Sequence, residues 1–180
     1  MPEVKELTEY QRAATVARYV QIRDVALERI DSSLVVPRRE ALKKSPWDLR
    51  FKKTVAHEFR AKANELIVRV NLDARVSASA AHDSLELLSF SCTYLLEYSF
   101  AAFGGPEGHE RDAFLKAFAE VNGVYNAWPY FRELLQSTAA RMGLPPVVVP
   151  VYRATGAPSE RKVPENTAES TQRRRSKRAT

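Results

Sequence analysis

Between Leu66 and Val76 the chain alternates without a break: Leu66, Val68, Val70, Leu72, Ala74 and Val76 share one phase, and Ile67, Arg69, Asn71, Asp73 and Arg75 the other. A two-residue period places successive side chains on opposite faces of an extended backbone, so the segment predicts a strand with one buried and one mostly wet face. Leu88, Phe90, Cys92, Tyr94, Leu96 and Tyr98 repeat the pattern, as do Leu49, Phe51, Lys53, Val55, His57 and Phe59. An earlier strand is less regular, because Val20 and Ile22 fall out of phase with Val25 and Leu27, as a bulge would produce. The linkers RAKAN and SASAAHD are too short for helical crossovers, which predicts antiparallel neighbours. SSLVVPRREALKKSPWDL, with two prolines and a charged centre, predicts instead a long crossing connection.

Outside this region the spacing becomes helical. EVKELTEYQRAATVARYV sets Val4, Leu7, Tyr10 or Gln11, Ala14 and Ala17 on a thin apolar stripe. RDAFLKAFAEV carries Phe114, Leu115, Phe118 and Val121 and predicts a helix ending near Asn122 and Gly123. A further helix is predicted to open at Pro129, where the missing N–H would have no partner, and to close at Gly143 and Pro145. Phe131, Leu134, Leu135 and Met142 form its apolar stripe, and PPVVVPVY follows as an extended segment suited to an edge or a groove. Residues 153–180 contain no Leu, Ile, Phe, Tyr or Trp, so ordering them would cost entropy with little apolar burial to offset it. The expected organisation is an N-terminal helical extension (1–18), one domain (19–152) and a disordered basic tail (153–180).

Composition refines this picture in three places. The 180 residues, 44% hydrophobic, suit one soluble domain. The net charge of +6 is unevenly spread: the tail carries eight Lys or Arg against three Glu, a balance of +5, and the body 20 against 19. No apolar run approaches the roughly 18 residues that span a bilayer, and MPEVKELTEYQR lacks an apolar signal core, so a cytoplasmic protein without membrane insertion is expected. The lone Cys92 reads as a small buried hydrophobe.

Chemistry-bearing motifs are sparse. His57, His82 and His109 stand in a strand, a turn and a Gly-rich loop, outside any HExxH, CxxC or GxSxG context, and GGPEGHE lacks the spacing of a phosphate-cradling loop. Neither catalysis nor a metal or other cofactor is expected. RRRSKR holds five positive charges in six residues and would attract phosphate without sequence preference, but interleaved aromatics that would add stacking are absent.

Several pieces together resemble the SecB family of bacterial export chaperones: the bulged strand around QIRDVALERIDSSLVVP, Trp47 opening the second strand in SPWDLRF, LIVRVNLDARV, and above all Trp128, Pro129, Tyr130, Arg132 and Glu133 in NAWPYFRELL, followed by RMGLPP. The similarity runs from about Tyr19 to Tyr152. It implies an α+β subunit, a four-stranded antiparallel sheet with helices packed on one face, assembling as a dimer of dimers with helices between paired sheets. It also implies an ATP-independent holdase that binds unfolded or nascent polypeptides along apolar grooves. A promiscuous binder needs apolar surface that tolerates varied side chains, with main-chain pairing at exposed edges. The candidate client-binding residues are Leu34, Val35, Val36, Trp47, Leu49 and Phe51, with Tyr130, Val147 and Val149. Trp128, Pro129, Arg132, Glu133 and Leu135 are expected at an oligomer interface or in a structural role, the Arg–Glu pair as a helix N-terminal charge pair or an intersubunit contact.

The chain also departs from the family. Export members dock on the translocase motor SecA through an acidic outer sheet face, whereas Arg50, Lys52, Arg69, Asn71, Asp73 and Arg75 are mixed to basic, so SecA docking is not expected. The fourth strand lacks the usual glycines, and TQRRRSKRAT replaces an acidic tail. Such divergence suits a solitary SecB-like protein, of the kind that includes chaperones dedicated to a toxin–antitoxin pair, with an antitoxin as partner. The alternative is a non-catalytic oligomeric interaction protein whose basic tail binds nucleic acid.

Overall fold

The computed structural model describes residues 7–43, 47–79, 84–101, 103 and 105–153. Helix α1 (Glu9–Ala17) is followed by strand β1 (Val20–Leu34), a single helical turn α2 (Arg38–Ala41), and strands β2 (Trp47–Arg60), β3 (Glu65–Ser79) and β4 (Ser84–Phe100). Helix α3 (Gly108–Phe118), a π-helical turn (Ala119–Gly123) and helix α4 (Val124–Arg141) complete the regular structure. The strands form one antiparallel sheet in the order β1-β4-β3-β2. β1 and β2 are thus the two edges, and the segment between them must cross the sheet, as its prolines and charges predict.

The alternation places Leu66 to Val76 of β3 and Leu88 to Phe100 of β4 against the helices, buried almost completely. In β1 two register shifts, between Ile22 and Asp24 and between Leu27 and Arg29, restore the phase each time. Val20 and Ile22, Val25 and Leu27, then Ile30 and Leu34 all pair with helix-side residues of β4. The expected bulge is therefore two bulges that keep one edge strand's apolar residues on a single face. Asn64, at φ 50°, closes the β2–β3 hairpin in the left-handed region that asparagine tolerates.

The helical part differs from expectation. Phe114, Leu115 and Phe118 are buried as predicted, but the helix does not stop at Asn122 and Gly123. It runs through the π turn into α4, so Pro129 is the sixth residue of α4 and not its opening. Pro129 deprives the carbonyl of Tyr125, itself an exposed residue, of its helical donor. What allows the run to continue is close packing: a Cβ on Gly123 would meet Val68 Cγ1 at 2.8 Å, so only glycine lets the turn sit this near β3.

The other end of α4 is as predicted. Gly143, at φ +70°, forms a Schellman motif in which Gly143 N–H donates to Ala140 O and Leu144 N–H to Ala139 O. Helix α1 opens with a capping box between Thr8 and Gln11 and packs on α3. Its buried residues are Ala13 and Val16, whereas Tyr10, Ala14 and Ala17 are exposed, so the predicted stripe lies one position out of phase. Val4 and residues 154–180 lie outside the described residues.

Candidate functional site

The crossing connection leaves β1 at Leu34, whose neighbour Val35 donates a last backbone hydrogen bond to Leu87 O. Leu34 and Val36 are half-buried and Val35 is exposed. The turn α2 buries Ala41 and is tied to the end of α4 by Arg38, whose Nε donates to Gly143 O at 2.9 Å. Leu42 is exposed beyond it. The chain then enters β2, where Trp47, Leu49 and Phe51 occupy the helix-side phase at a free sheet edge; Trp47 and Leu49 are half-buried and Phe51 is 44% exposed. Both predicted groups thus lie at the same end of the sheet. They are separated by three strand spacings, roughly 14 Å, which one extended peptide can bridge.

Behind Phe51 stands Trp128, its ring centroid 4.9 Å away. Trp128 is a hub of the core: it also packs on Phe131 and Tyr152, and its Nε1 donates to Pro150 O at 2.8 Å. Gln136 Nε2 donates to Val147 O. Residues 144–152 therefore run back along α4 towards β2 as an extended segment outside the sheet, the groove position their prolines predict. Its alternation has the opposite sense to the one expected. Val147 and Val149 are buried, 4% and 1% exposed, whereas Val148 is 82% exposed. Val147 and Val149 pack into the core as placed, and the accessible apolar groups of the segment are Val148 and Val151. Leu135 is likewise wholly buried within the subunit.

Arg132 and Glu133 do not form the predicted helix N-terminal charge pair. Because α4 begins at Val124 they lie well past its first turn, and no ion pair joins them. Glu133 is exposed; Arg132 is half-buried, with its Nε shielded and lacking an acceptor among the described residues. Tyr130 is also separated from the other client candidates. Its ring lies 6.1 Å from that of Tyr94, on the β4 side of α4, whereas Trp128 faces β2. Tyr94 pairs in register with Leu27, so Tyr130 borders the face of β1 on which Ile22, Leu27 and Ile30 remain exposed. Sequence reasoning missed that bare row, because only the strand order reveals that β1 is an edge strand, where Ile22, Leu27 and Ile30 stay exposed.

Two polar side chains share the apolar phase of β2, and both are matched from the helix side. Lys53 Nζ donates to Glu120 O at 3.1 Å and to Tyr152 Oη at 3.3 Å, and stands 3.5 Å from Glu120 Oε2. His57 Nε2 and Asp112 Oδ1 are 3.0 Å apart. His109 is exposed, and His82 lies outside the described residues. Among the described residues no three His, Cys, Asp or Glu converge as metal ligands, and no helix is long and apolar enough to cross a membrane. Burial pushes the Cys92 thiol up to about 12 and the Tyr98 hydroxyl up to about 12, the latter opposed by the hydrogen bond from Asn126.

The opposite face of the sheet carries the mixed polar set foreseen from the sequence. Arg50 and Arg75 are register partners, drawn apart by Asp48 at 3.2 Å and Glu86 at 2.9 Å. With Lys52, Asp73, Ser89 and Ser91 they line a shallow depression of about 380 Å³. Arg69 pairs with Glu28, and Thr93, Asn71 and Asp73 are joined by hydrogen bonds. Asp48, Glu28 and Glu86 are matched by arginines while Asp73 accepts from Asn71, and among the described residues no continuous acidic patch forms.

One antiparallel sheet, helices on one face and an edge-to-edge crossing connection define a SecB-like α+β fold. Its similarity to solved structures is to the Mycobacterium tuberculosis Rv1957 SecB-like chaperone, in complex with a ChAD peptide from the Rv1956 HigA1 antitoxin: TM-score 0.63, 22% identity, covering 79% of this chain and 96% of that one. A protein of unknown function from Streptococcus agalactiae aligns at a TM-score of 0.37 and 12% identity, covering 73% of this chain and 96% of that one. No family model matches the chain, and no curated protein matches it by sequence.

Proposed function

We propose that the protein is an ATP-independent, SecB-like cytoplasmic chaperone that holds unfolded or aggregation-prone polypeptide along the crossing connection and the start of β2. The observation that carries this reading is the exposed apolar set Val35, Leu42, Phe51 and Val148, with half-buried Trp47 and Leu49, beside a free sheet edge. Burial at roughly 25 cal/mol per Å² lets several such weak subsites sum to useful affinity, and the unpaired edge offers main-chain hydrogen bonds to any sequence. The mixed charge of the outer face favours a dedicated partner over handover to SecA. The antitoxin peptide bound by the Mycobacterium tuberculosis structural neighbour makes an antitoxin segment a suitable client class to test. Copies of the chain are proposed to associate through the bare face of β1, towards a dimer of dimers.

The test is light scattering of a denatured, aggregation-prone protein diluted into buffer with and without stoichiometric chaperone and no nucleotide. Suppression is expected, weakened several-fold by Trp47→Ala, Phe51→Ala and Val148→Asp in variants that still assemble. Val148→Asp is the cleanest, since its side chain is almost fully in solvent. No suppression, or suppression untouched by all three, would sink the assignment.

A further inference from the structure

Resting on the client-binding reading just given, we infer that the segments preferred at this end of the sheet are apolar stretches flanked by acidic residues. Among the described residues from Val35 to Lys52, exposed apolar and cationic side chains outnumber the exposed carboxylates Glu40 and Asp48. Val35, Leu42 and Phe51 are apolar; Arg39, Lys43 and Lys52 are cations. None of the three cations lies within ion-pair distance of a carboxylate among the described residues. Arg38 donates to a neutral carbonyl, which leaves its charge uncompensated, and Arg50 is neutralised by Asp48. Lys52 projects from the opposite face beside its register partner Asp73, so among the described residues of the connection Arg38, Arg39 and Lys43 stand against Glu40, a balance of +2.

This distribution has a consequence for recognition. An extended peptide laid from Val35 to Phe51 buries its apolar residues beside cations, so its flanking residues must pass Arg39 or Lys43. Acidic flanks gain attraction and speed the encounter, and basic flanks meet like charge that Glu40 offsets only in part. Phe51 and Trp47 could also stack on nucleobases, so a single-stranded oligonucleotide is the competing anionic ligand that the test must separate from an acidic peptide.

The test uses the full chain and fluorescent peptides sharing one apolar core, with Gly-Ser, Glu or Lys flanks, titrated by anisotropy at low and high salt. Glu-flanked peptides are expected to bind about 10-fold more tightly than Lys-flanked ones at low salt, with the ratio collapsing at high salt. Arg39→Glu combined with Lys43→Glu, both exposed positions, should abolish or invert the preference while the Gly-Ser peptide binds as before; Glu40→Lys should enlarge it. Equal binding of the three peptides, or a preference unmoved by these variants, overturns the inference and leaves the chaperone reading intact. Failure of every peptide to bind, together with no suppression of aggregation, removes both. Displacement of the Gly-Ser peptide by a short single-stranded oligonucleotide, lost in the double variant, would overturn the inference in favour of nucleic acid.

Discussion

Cys92 illustrates what single residues report. It lies wholly buried in the helix-side row of the central strand β4, and burial, which penalises the thiolate, holds its thiol up at about 12. Labelling requires the thiolate, which burial strongly disfavours in the native state. Alkylation should therefore follow opening of the sheet. Iodoacetamide labelling is expected to be negligible in native protein and rapid in denaturant, with a native rate that falls as stability rises; fast labelling under native conditions would contradict the placement. Lys53 and His57 are the complementary case. Their spacing put them in an apolar row and was right, but the groups that make this tolerable, Glu120, Tyr152 and Asp112, come from elements far along the chain. No local pattern announces such partners.

At the level of elements, strands were more legible than helices for a physical reason. The period of two in β2, β3 and β4 follows from one face packing and one wet, and even the phase slips of β1 are visible as its two bulges. Gly123 and Pro129 are, by local chemistry, helix-ending and helix-opening residues, yet here the run from α3 to α4 passes through both. Packing of the π turn on Val68 overrides the local preference. A consequence is that Gly123→Ala, which in an isolated helix would add up to about 1 kcal/mol of stability, should cost the protein about 1–3 kcal/mol through overpacking. Chemical denaturation checks this, and Gly123→Ala on a Val68→Ala background should cost clearly less, because the contacted methyl groups are gone. A stabilising Gly123→Ala would show that the turn has room to move. The candidate site was legible to the same degree. The phase of Trp47, Leu49 and Phe51 follows from their strand, but which valines of 147–149 face inward depends on the groove beside α4, and the sequence alternation alone admits either answer.

At the scale of the whole molecule, the two edges of the sheet are unequal. The helix layer and the segment 144–152 lie towards β2 and the central strands, so the helix-side row of β2 is largely backed by Trp128, Tyr152 and the π turn. β1 has no such backing: Ile22, Leu27 and Ile30 project from its helix side, each more than two-fifths exposed, with Tyr125 and Tyr130 exposed on the neighbouring helix. A soluble chain rarely leaves an edge strand both unpaired and apolar, since it templates association. A second copy using the same strand would pair the free edge and cover the row at once, and a two-fold arrangement repeats each contact. Burying the remaining exposure of these side chains contributes of the order of 1 kcal/mol apiece, and because each appears twice the sum reaches several kcal/mol before main-chain pairing is counted. Leu27 is the central position, in register with Tyr94 and so beside Tyr130. Leu27→Glu should therefore shift the mass measured by light scattering on a sizing column from an oligomer to the 20.3 kDa subunit. Circular dichroism should remain native, because the side chain does not contribute to the subunit's own core. Lys52→Glu, on the opposite face at the far edge, should leave the mass unchanged. If Leu27→Glu keeps the oligomer, association proceeds through another surface and the bare face of β1 is free to serve as a client-binding row.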